Sequence, residues 1–267
     1  MTTVERSFDP QAVNEIQVNL AAGDVQIGRG EGGQIEIQAS FSSGNEHGFQ
    51  ADLAGGILYV GRPRHPEDSG EFAARSGQSG RANVTLTLPA GANPELSVHT
   101  GKGDVSASGV GKLRHVHSGK GDVHVSQGHG QTAIHTGLGD VAISHWQGDA
   151  SVQTGKGAVH LDGLIGGLSV HTGAGDVAVR DWQAPSPEEP PAESGEIETG
   201  KGDVFVETAR VPRLRIHTGR GDCHLQQVDA AKLEMQAGAG DMLLQGDPGT
   251  GRWRARTGSG DILLHLP

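Results

Sequence analysis

Two kinds of side chain recur at a spacing that could do chemistry. Aspartate follows the second glycine of a Gly-x-Gly motif at Asp104, Asp122, Asp140, Asp176, Asp203, Asp222, Asp241 and Asp261, and Ala158 takes the same slot in one copy. Histidine stands just before the motif at His99, His117, His135, His171 and His217, where other copies carry Gln153, Glu198, Gln236 and Arg256. Carboxylates brought into a column could bind a hard cation such as Ca²⁺ together with turn carbonyls. Successive imidazoles could bind Zn²⁺ or a related ion. Each column also has a plainer reading. An aspartate can accept hydrogen bonds from the backbone N–H groups of its own glycine-rich turn, with Lys102, Lys120, Lys156, Lys201 and Arg220 at x offsetting its charge. A slot that accepts His, Gln, Glu and Arg alike reads as a solvated strand face. Ala158 would interrupt a chain of cation sites, and the motif differs from the calcium-binding nonapeptide, whose aspartate comes one residue later. The plainer reading is preferred for both columns, and no metal ligand is assigned.

The elements that position these residues follow from the period. The second glycines are Gly103, Gly121, Gly139, Gly157, Gly175, Gly202, Gly221, Gly240 and Gly260, separated by 18, 18, 18, 18, 27, 19, 19 and 20 residues. A constant period of this size marks a repeat architecture. Within one repeat, Val116 and Ser118 alternate with His115 and His117, and Val123 and Val125 alternate with Asp122 and His124. Such period-2 alternation is a half-buried strand. The pair recurs at Val141/Ile143, Val159/Leu161, Val177/Val179, Val204/Val206, Cys223/Leu225, Met242/Leu244 and Ile262/Leu264, with a third apolar position at Val110, Trp146, Leu164, Trp182 and Val228. No repeat can bury these residues alone, but stacked coils about 4.8 Å apart bury them as one column. The expected fold is all-β: a parallel β-solenoid, or single-stranded β-helix, of about 18 residues per coil and nine coils over residues 96–267.

Residues 1–95 are less regular and are expected to form an irregular β region that caps the stack. Strand candidates there are Glu15–Leu20, Asp24–Ile27, Gln34–Gln38, Ile57–Gly61 and Asn83–Leu88, and Leu20 to Ile27 looks like a degenerate copy of the repeat. Residues 62–81 read as a polar loop. The 27-residue step is explained by a Pro/Glu-rich insertion at 184–194, which cannot join a ladder and should bulge from one corner. Ile262 to Leu266 end the last coil without a polar cover, so that end is a candidate for self-association.

Composition bounds the function. A formal charge of −11 argues against nucleic-acid binding, which needs basic patches. No stretch approaches the ~18 apolar residues of a membrane span, so direct membrane insertion is not expected. The start carries no signal peptide, which points to the cytoplasm. Cys223 is the one cysteine and fills a Val slot, the place of a small buried residue rather than a reactive thiol. Fourteen histidines make the charge sensitive to mild acid, and stacked imidazoles would repel below about pH 6.

The remaining motifs are weak. The threonines Thr100, Thr136, Thr154, Thr172, Thr199, Thr218 and Thr257 resemble an ice-binding array but are too sparse for one. Arg220-Gly221-Asp222 is a local variant of Lys-Gly-Asp. The Gly-x-Gly pairs do not continue into a dinucleotide or P-loop motif. No pair of carboxylates outside the repeat stands out for acid–base work, and Trp146, Trp182 and Trp253 are too separated for a sugar platform. No catalytic residue and no cofactor are assigned.

The order of an N-terminal β region, then Val84-Thr-Leu-Thr-Leu-Pro89, then Leu96-Ser-Val-His-Thr-Gly-Lys-Gly-Asp-Val105 and further Gly-x-Gly-Asp-Val copies, resembles a bacterial family. It is similar to the adhesin-like β-strand-repeat family of unknown function, related to the head GIN autotransporter-adhesin domains. The resemblance covers nearly the whole chain. It implies a β-solenoid and an association with the bacterial envelope and envelope stress, and it brings no catalytic residues. The expectation is therefore a non-enzymatic scaffold or adhesin-like interaction protein. Its partners would be proteins or copies of itself, held through polar ladders or the solenoid ends. The alternative is a Ca²⁺- or Zn²⁺-stabilised module that binds carbohydrate or a surface polymer.

Overall fold

A computed structural model of the chain describes residues 2–41, 49–61, 81–184, 195–247 and 251–265. The N-terminal strands are β1 (Thr2–Phe8), β2 (Glu15–Leu20), β3 (Val25–Gly30), β4 (Ile35–Phe41), β5 (Gln50–Ala54), β6 (Ile57–Gly61) and β7 (Ala82–Pro89). The regular region begins with β8 (Glu95–Thr100), β9 (Val105–Ser108), β10 (Lys112–Lys120), β11 (Val123–His129), β12 (Thr132–Leu138) and β13 (Val141–Gln147). It continues through β14 (Ala150–Lys156), β15 (Val159–Ile165), β16 (Leu168–Ala174), β17 (Val177–Gln183) and β18 (Gly195–Lys201). Last come β19 (Val204–Arg220), β20 (Cys223–Ala239), β21 (Met242–Asp247), β22 (Arg252–Thr257) and β23 (Ile262–His265).

Each coil contributes one strand before the Gly-x-Gly-Asp turn and one after it, so the strands stack in two parallel columns. The front column runs β6, β2, β8, β10, β12, β14, β16, β18, the second halves of β19 and β20, then β22. The back column runs β7, β3, β9, β11, β13, β15, β17, the first halves of β19 and β20, then β21 and β23. This is the β-solenoid that the period requires. Alternation sends Val116, Ile134, Val152, Val170, Ile197 and Ile216 inward from the front column, where they meet the valines and leucines of the back column in one continuous core. The third apolar position is also inside: Val110, Trp146, Leu164, Trp182 and Val228 are buried.

Each tryptophan fits because a neighbour has no side chain. Gly128 lies beside Trp146 in the ladder, and a Cβ on it would come within 2.1 Å of the indole. Gly195 makes the same allowance for Trp182. The indole N–H groups then donate to Gly130 O and Gly166 O, both at 2.9 Å, which satisfies the one polar atom each ring buries.

The repeat has a corner that the sequence pattern did not reveal. Six residues past the second glycine the backbone is left-handed in coil after coil: Gly109, Gln127, His145, Gly163, Asp181, Thr208 and Gln227, with φ between 49° and 69°. This residue bends the back strand so that the third apolar position points into the core. The slot was invisible because its occupants share polarity and little else, and Thr208 is β-branched, a type that rarely accepts such angles.

The N-terminal region is built partly from the same stack. β2 and β3 pair directly beneath β8 and β9 in parallel register, so Leu20 to Ile27 is a working coil of the solenoid. All five strand candidates form. Two further strands were missed, β1 and β5, both antiparallel to their neighbours β4 and β6 at the N-terminal end of the stack. As edge strands they bury little and carry no clear alternation. Arg29 ties this region to the first regular coil by donating to Gly109 O at 2.7 Å, to Pro89 O at 2.9 Å and to Ala92 O. The insertion at 185–194 and the polar segment at 62–80 lie outside the described residues. The strand after the insertion, β18, keeps register with β16 in the coil below, with Ser169 opposite Glu196 and Thr172 opposite Thr199. At the other end, Ile262 and Leu264 are 41% and 51% exposed, unlike their counterparts in earlier coils.

Candidate functional site

The aspartate column is a ladder of hydrogen bonds between coils, which corrects the expectation of a bond within each turn. Asp122 N–H donates to Asp104 Oδ1 at 2.9 Å, Asp140 N–H to Asp122 Oδ1 at 2.8 Å, and Ala158 N–H to Asp140 Oδ1 at 2.7 Å. The series resumes from Asp176 to Asp203, Asp222, Asp241 and Asp261, each at 2.8 Å. It also extends downward, from Asp104 to Asp24 and from Asp24 to Asn83. The reason is the stacking itself: in parallel coils the equivalent N–H of the next coil lies above each carboxylate, within hydrogen-bond reach. Ala158 has no carboxylate to offer the N–H of Asp176.

The threonine column faces inward. Thr136, Thr154, Thr172, Thr199 and Thr218 are buried, and their hydroxyls donate to the second-glycine carbonyl of the preceding coil, for example Thr136 to Gly121 O at 3.2 Å. A buried column cannot present an ice-binding surface. Its polar atoms are used in holding coils together.

The histidine column faces outward, as the alternation requires. His117 stands over His99 with ring centroids 4.6 Å apart and planes within 4° of parallel. His117, His135, Gln153, His171, Glu198 and His217 follow one another in register. Rings stacked face to face do not converge their nitrogens on one point. Among the described residues no group of three or more His, Cys, Asp or Glu could hold a metal ion. His171 Nε2 lies 3.2 Å from Glu198 Oε2, an exposed pair.

This column forms a ridge on the front face between two shallow troughs. One, of about 630 Å³, has the first glycines of the motif as its floor, including Gly137, Gly155 and Gly173, with His135, His171 and Glu198 along its side. The other, of about 510 Å³, is floored by Ala133, Ser151 and Ser169 and flanked by Arg114, His115 and Glu196. Both run across several coils. Ser169 Oγ of the second trough lies 3.5 Å from His171 Nδ1, and His171 Nε2 faces Glu198, an exposed line of polar groups across the ridge; the arrangement can hydrogen-bond an extended chain.

Cys223 is buried, and burial first, then the charges of Asp203 and Asp222, push its thiol from about 9.0 up to about 12. It behaves as the packed residue that its Val slot suggested.

The family model of Toastrack DUF4097 matches residues 13–198 and again 165–267. The chain belongs to the Toastrack DUF4097 family. Two overlapping matches on one Toastrack chain agree with an architecture whose coils are interchangeable. No curated protein matches it. Among solved structures, a candidate adhesin from Parabacteroides merdae is 12% identical, with 98% of this chain and 96% of that one covered and a TM-score of 0.43. A candidate adhesin from Bacteroides fragilis is 14% identical, covering 98% and 97%, with a TM-score of 0.38. A candidate lipid-binding protein from Parabacteroides distasonis is 9% identical, covering 99% and 95%, with a TM-score of 0.42. Among the described residues of this Toastrack chain, no helix is long and apolar enough to cross a membrane.

Proposed function

We propose that this protein is a non-enzymatic binding scaffold that presents its front face to an extended partner. The observation that carries the reading is a division of labour among polar side chains. Asp and Thr columns spend their atoms on bonds between coils, whereas the outward side chains of the ridge from His117 to His217 meet others only in exposed contacts, such as His171 with Glu198. A rigid solenoid with one such face is suited to holding a chain-like ligand along its axis. The adhesin-like resemblance of the sequence supports a binding role of this general kind.

The test compares the intact chain with a His117→Ala/His135→Ala/His171→Ala variant and with a back-face control, His124→Ala/His160→Ala, on immobilised glycans and extended peptides. The expected result is binding weakened about tenfold or more by the front-face variant alone, with melting unchanged in both. Equal binding by all three proteins, or none to any probe, overturns the proposal. Melts with Ca²⁺, Zn²⁺ and chelator accompany it: a fall in stability on chelation would favour the cation-stabilised module, and turnover of a glycan would replace both readings with an enzyme.

A further inference from the structure

The front face changes character toward the C-terminal end. Arg213, Lys232 and Arg252 occupy the same position in three successive coils and are ladder partners. Two residues along, Arg215, Glu234 and Arg254 are partners, and two further along Arg256 follows His217 and Gln236. Strand geometry sets these cations about 4.8 Å apart between coils and roughly 6.6 Å apart along a strand. Arg215 is engaged by Glu196 at 3.4 Å and Glu234 at 3.9 Å. Among the described residues the other five form no ion pair, and all are exposed.

Like charges directly opposite in a ladder are unfavourable, yet here three stand in a row on a chain whose formal charge is −11. In the back column an arginine can meet an acid instead: Arg180 meets Glu207 at 3.3 Å, and Arg210 meets Asp229 at 3.5 Å. Lys201 and Arg220 also stand opposite each other, but that pair ends at Ala239, whereas three cations in a row with no acid among them are a surface lattice set up for an external anion.

We infer that this lattice binds an acidic polysaccharide, a linear glycan carrying carboxylates, laid across the last three coils of the front face. Guanidinium forks match carboxylates in pairs, and the regular spacing suits repeated charges better than a single ion. The glycine-floored trough ends at His217 and Gly219, whose ladder neighbours Gln236 and Arg256 belong to or border the lattice, so one chain can lie along both. Among these positions no Phe, Tyr or Trp side chain faces outward to stack a base, the platform that single-stranded nucleic acid uses most. The inference rests on the front face being the binding face, as proposed above.

The experiment measures binding of the full chain to polygalacturonate at about 50 mM and 200 mM salt, with dextran, phosphatidylglycerol vesicles and single-stranded DNA as comparators. The variant is Lys232→Gln/Arg252→Gln/Arg254→Gln. Expected are salt-sensitive binding to polygalacturonate, little to dextran, and a loss of about tenfold or more in the variant, whose melting is unchanged or raised because like-charge repulsion is relieved. Binding to dextran equal to that of polygalacturonate would overturn the charge reading and leave the binding face standing. Preference for vesicles or DNA, no polygalacturonate binding, or full binding by the variant would each overturn the lattice. A loss caused only by the His117→Ala/His135→Ala/His171→Ala variant would likewise place recognition on the ridge alone.

Discussion

At Gly139 two constraints meet, and only one of them can be read from the motif. The turn needs φ of +149°, where a side chain is strained, and that much follows from Gly-x-Gly at a strand boundary. The second constraint comes from the coil below: a Cβ on Gly139 would sit 2.1 Å from Gly121 O. That contact exists only once coils are stacked, so no reading of a single repeat contains it. The aspartate beside it teaches the same lesson, since its partner is the N–H of another coil. Cys223 was legible because its slot alone decided the matter. Its thiol is held at about 12 in the folded chain, against 9.0 ordinarily. The unfolded chain therefore sheds this proton first, and between pH 9 and 12 it binds fewer protons than the folded one, so this residue lowers stability as pH rises through that window. Thiol labelling at pH 8 should be slow in the native protein and fast in urea, and a Cys223→Val variant should lose less stability than the parent between pH 9 and 11. Fast native labelling would mean that the coil opens readily around Cys223.

The strands were largely legible because their inward side is apolar at every second residue, from Ile16 and Val18 to Met242 and Leu244. Where burial ends, legibility ended too: β1 and β5 lie at an edge and show no alternation, and the left-handed corner at Gln127, His145 and Asp181 is held by backbone geometry that several polar residues satisfy. The front-face ridge was legible as an outward column, whereas the troughs beside it depend on neighbouring coils supplying glycine, alanine and serine in register. The aspartate ladder yields a test at this scale. Ala158 leaves the N–H of Asp176 without the carboxylate that every neighbouring rung supplies, so Ala158→Asp should restore a rung. A hydrogen bond to a charged acceptor contributes about 1.5–3 kcal/mol at best, and repulsion from Asp140 and Asp176 reduces the gain to about 1 kcal/mol. Because that repulsion is screened at the surface, the gain should grow with salt. Chemical denaturation at low and high salt measures both; destabilisation at every salt concentration would show that the ladder is a consequence of the turn and adds nothing to stability.

Over the whole molecule, averages hide what register reveals. A net charge of −11 excluded basic surfaces at the level of composition, yet stacking gathers Arg213, Lys232 and Arg252 into one column. The two ends also differ. Strand β1 places Arg6 on the same side as Val4 and Phe8, opposite Ile37, a charge that discourages further stacking there, while Ile262 and Leu264 at the other end stand open. Because each coil touches only its neighbours, stability is close to a sum of coil and interface contributions, and damage should have a position-dependent reach. Gly139→Val and Gly240→Val impose the same local injury: positive φ and a side chain driven into the carbonyl below, at 2.1 Å and 2.0 Å respectively. Each should cost more than about 3 kcal/mol, well beyond an ordinary surface change. Near the open end, the coils after Gly240 can detach while the rest of the stack stays closed, so Gly240→Val should lose hydrogen-exchange protection only in β21 to β23. In mid-rod the stack has no free end to release, so Gly139→Val should lower protection on both sides of the break, through β10 to β15, and lower the main unfolding transition. Hydrogen exchange followed by mass spectrometry distinguishes these patterns. Uniform loss of protection in both variants would show that the solenoid unfolds as a single cooperative unit, and the nearest-neighbour description would have to be given up.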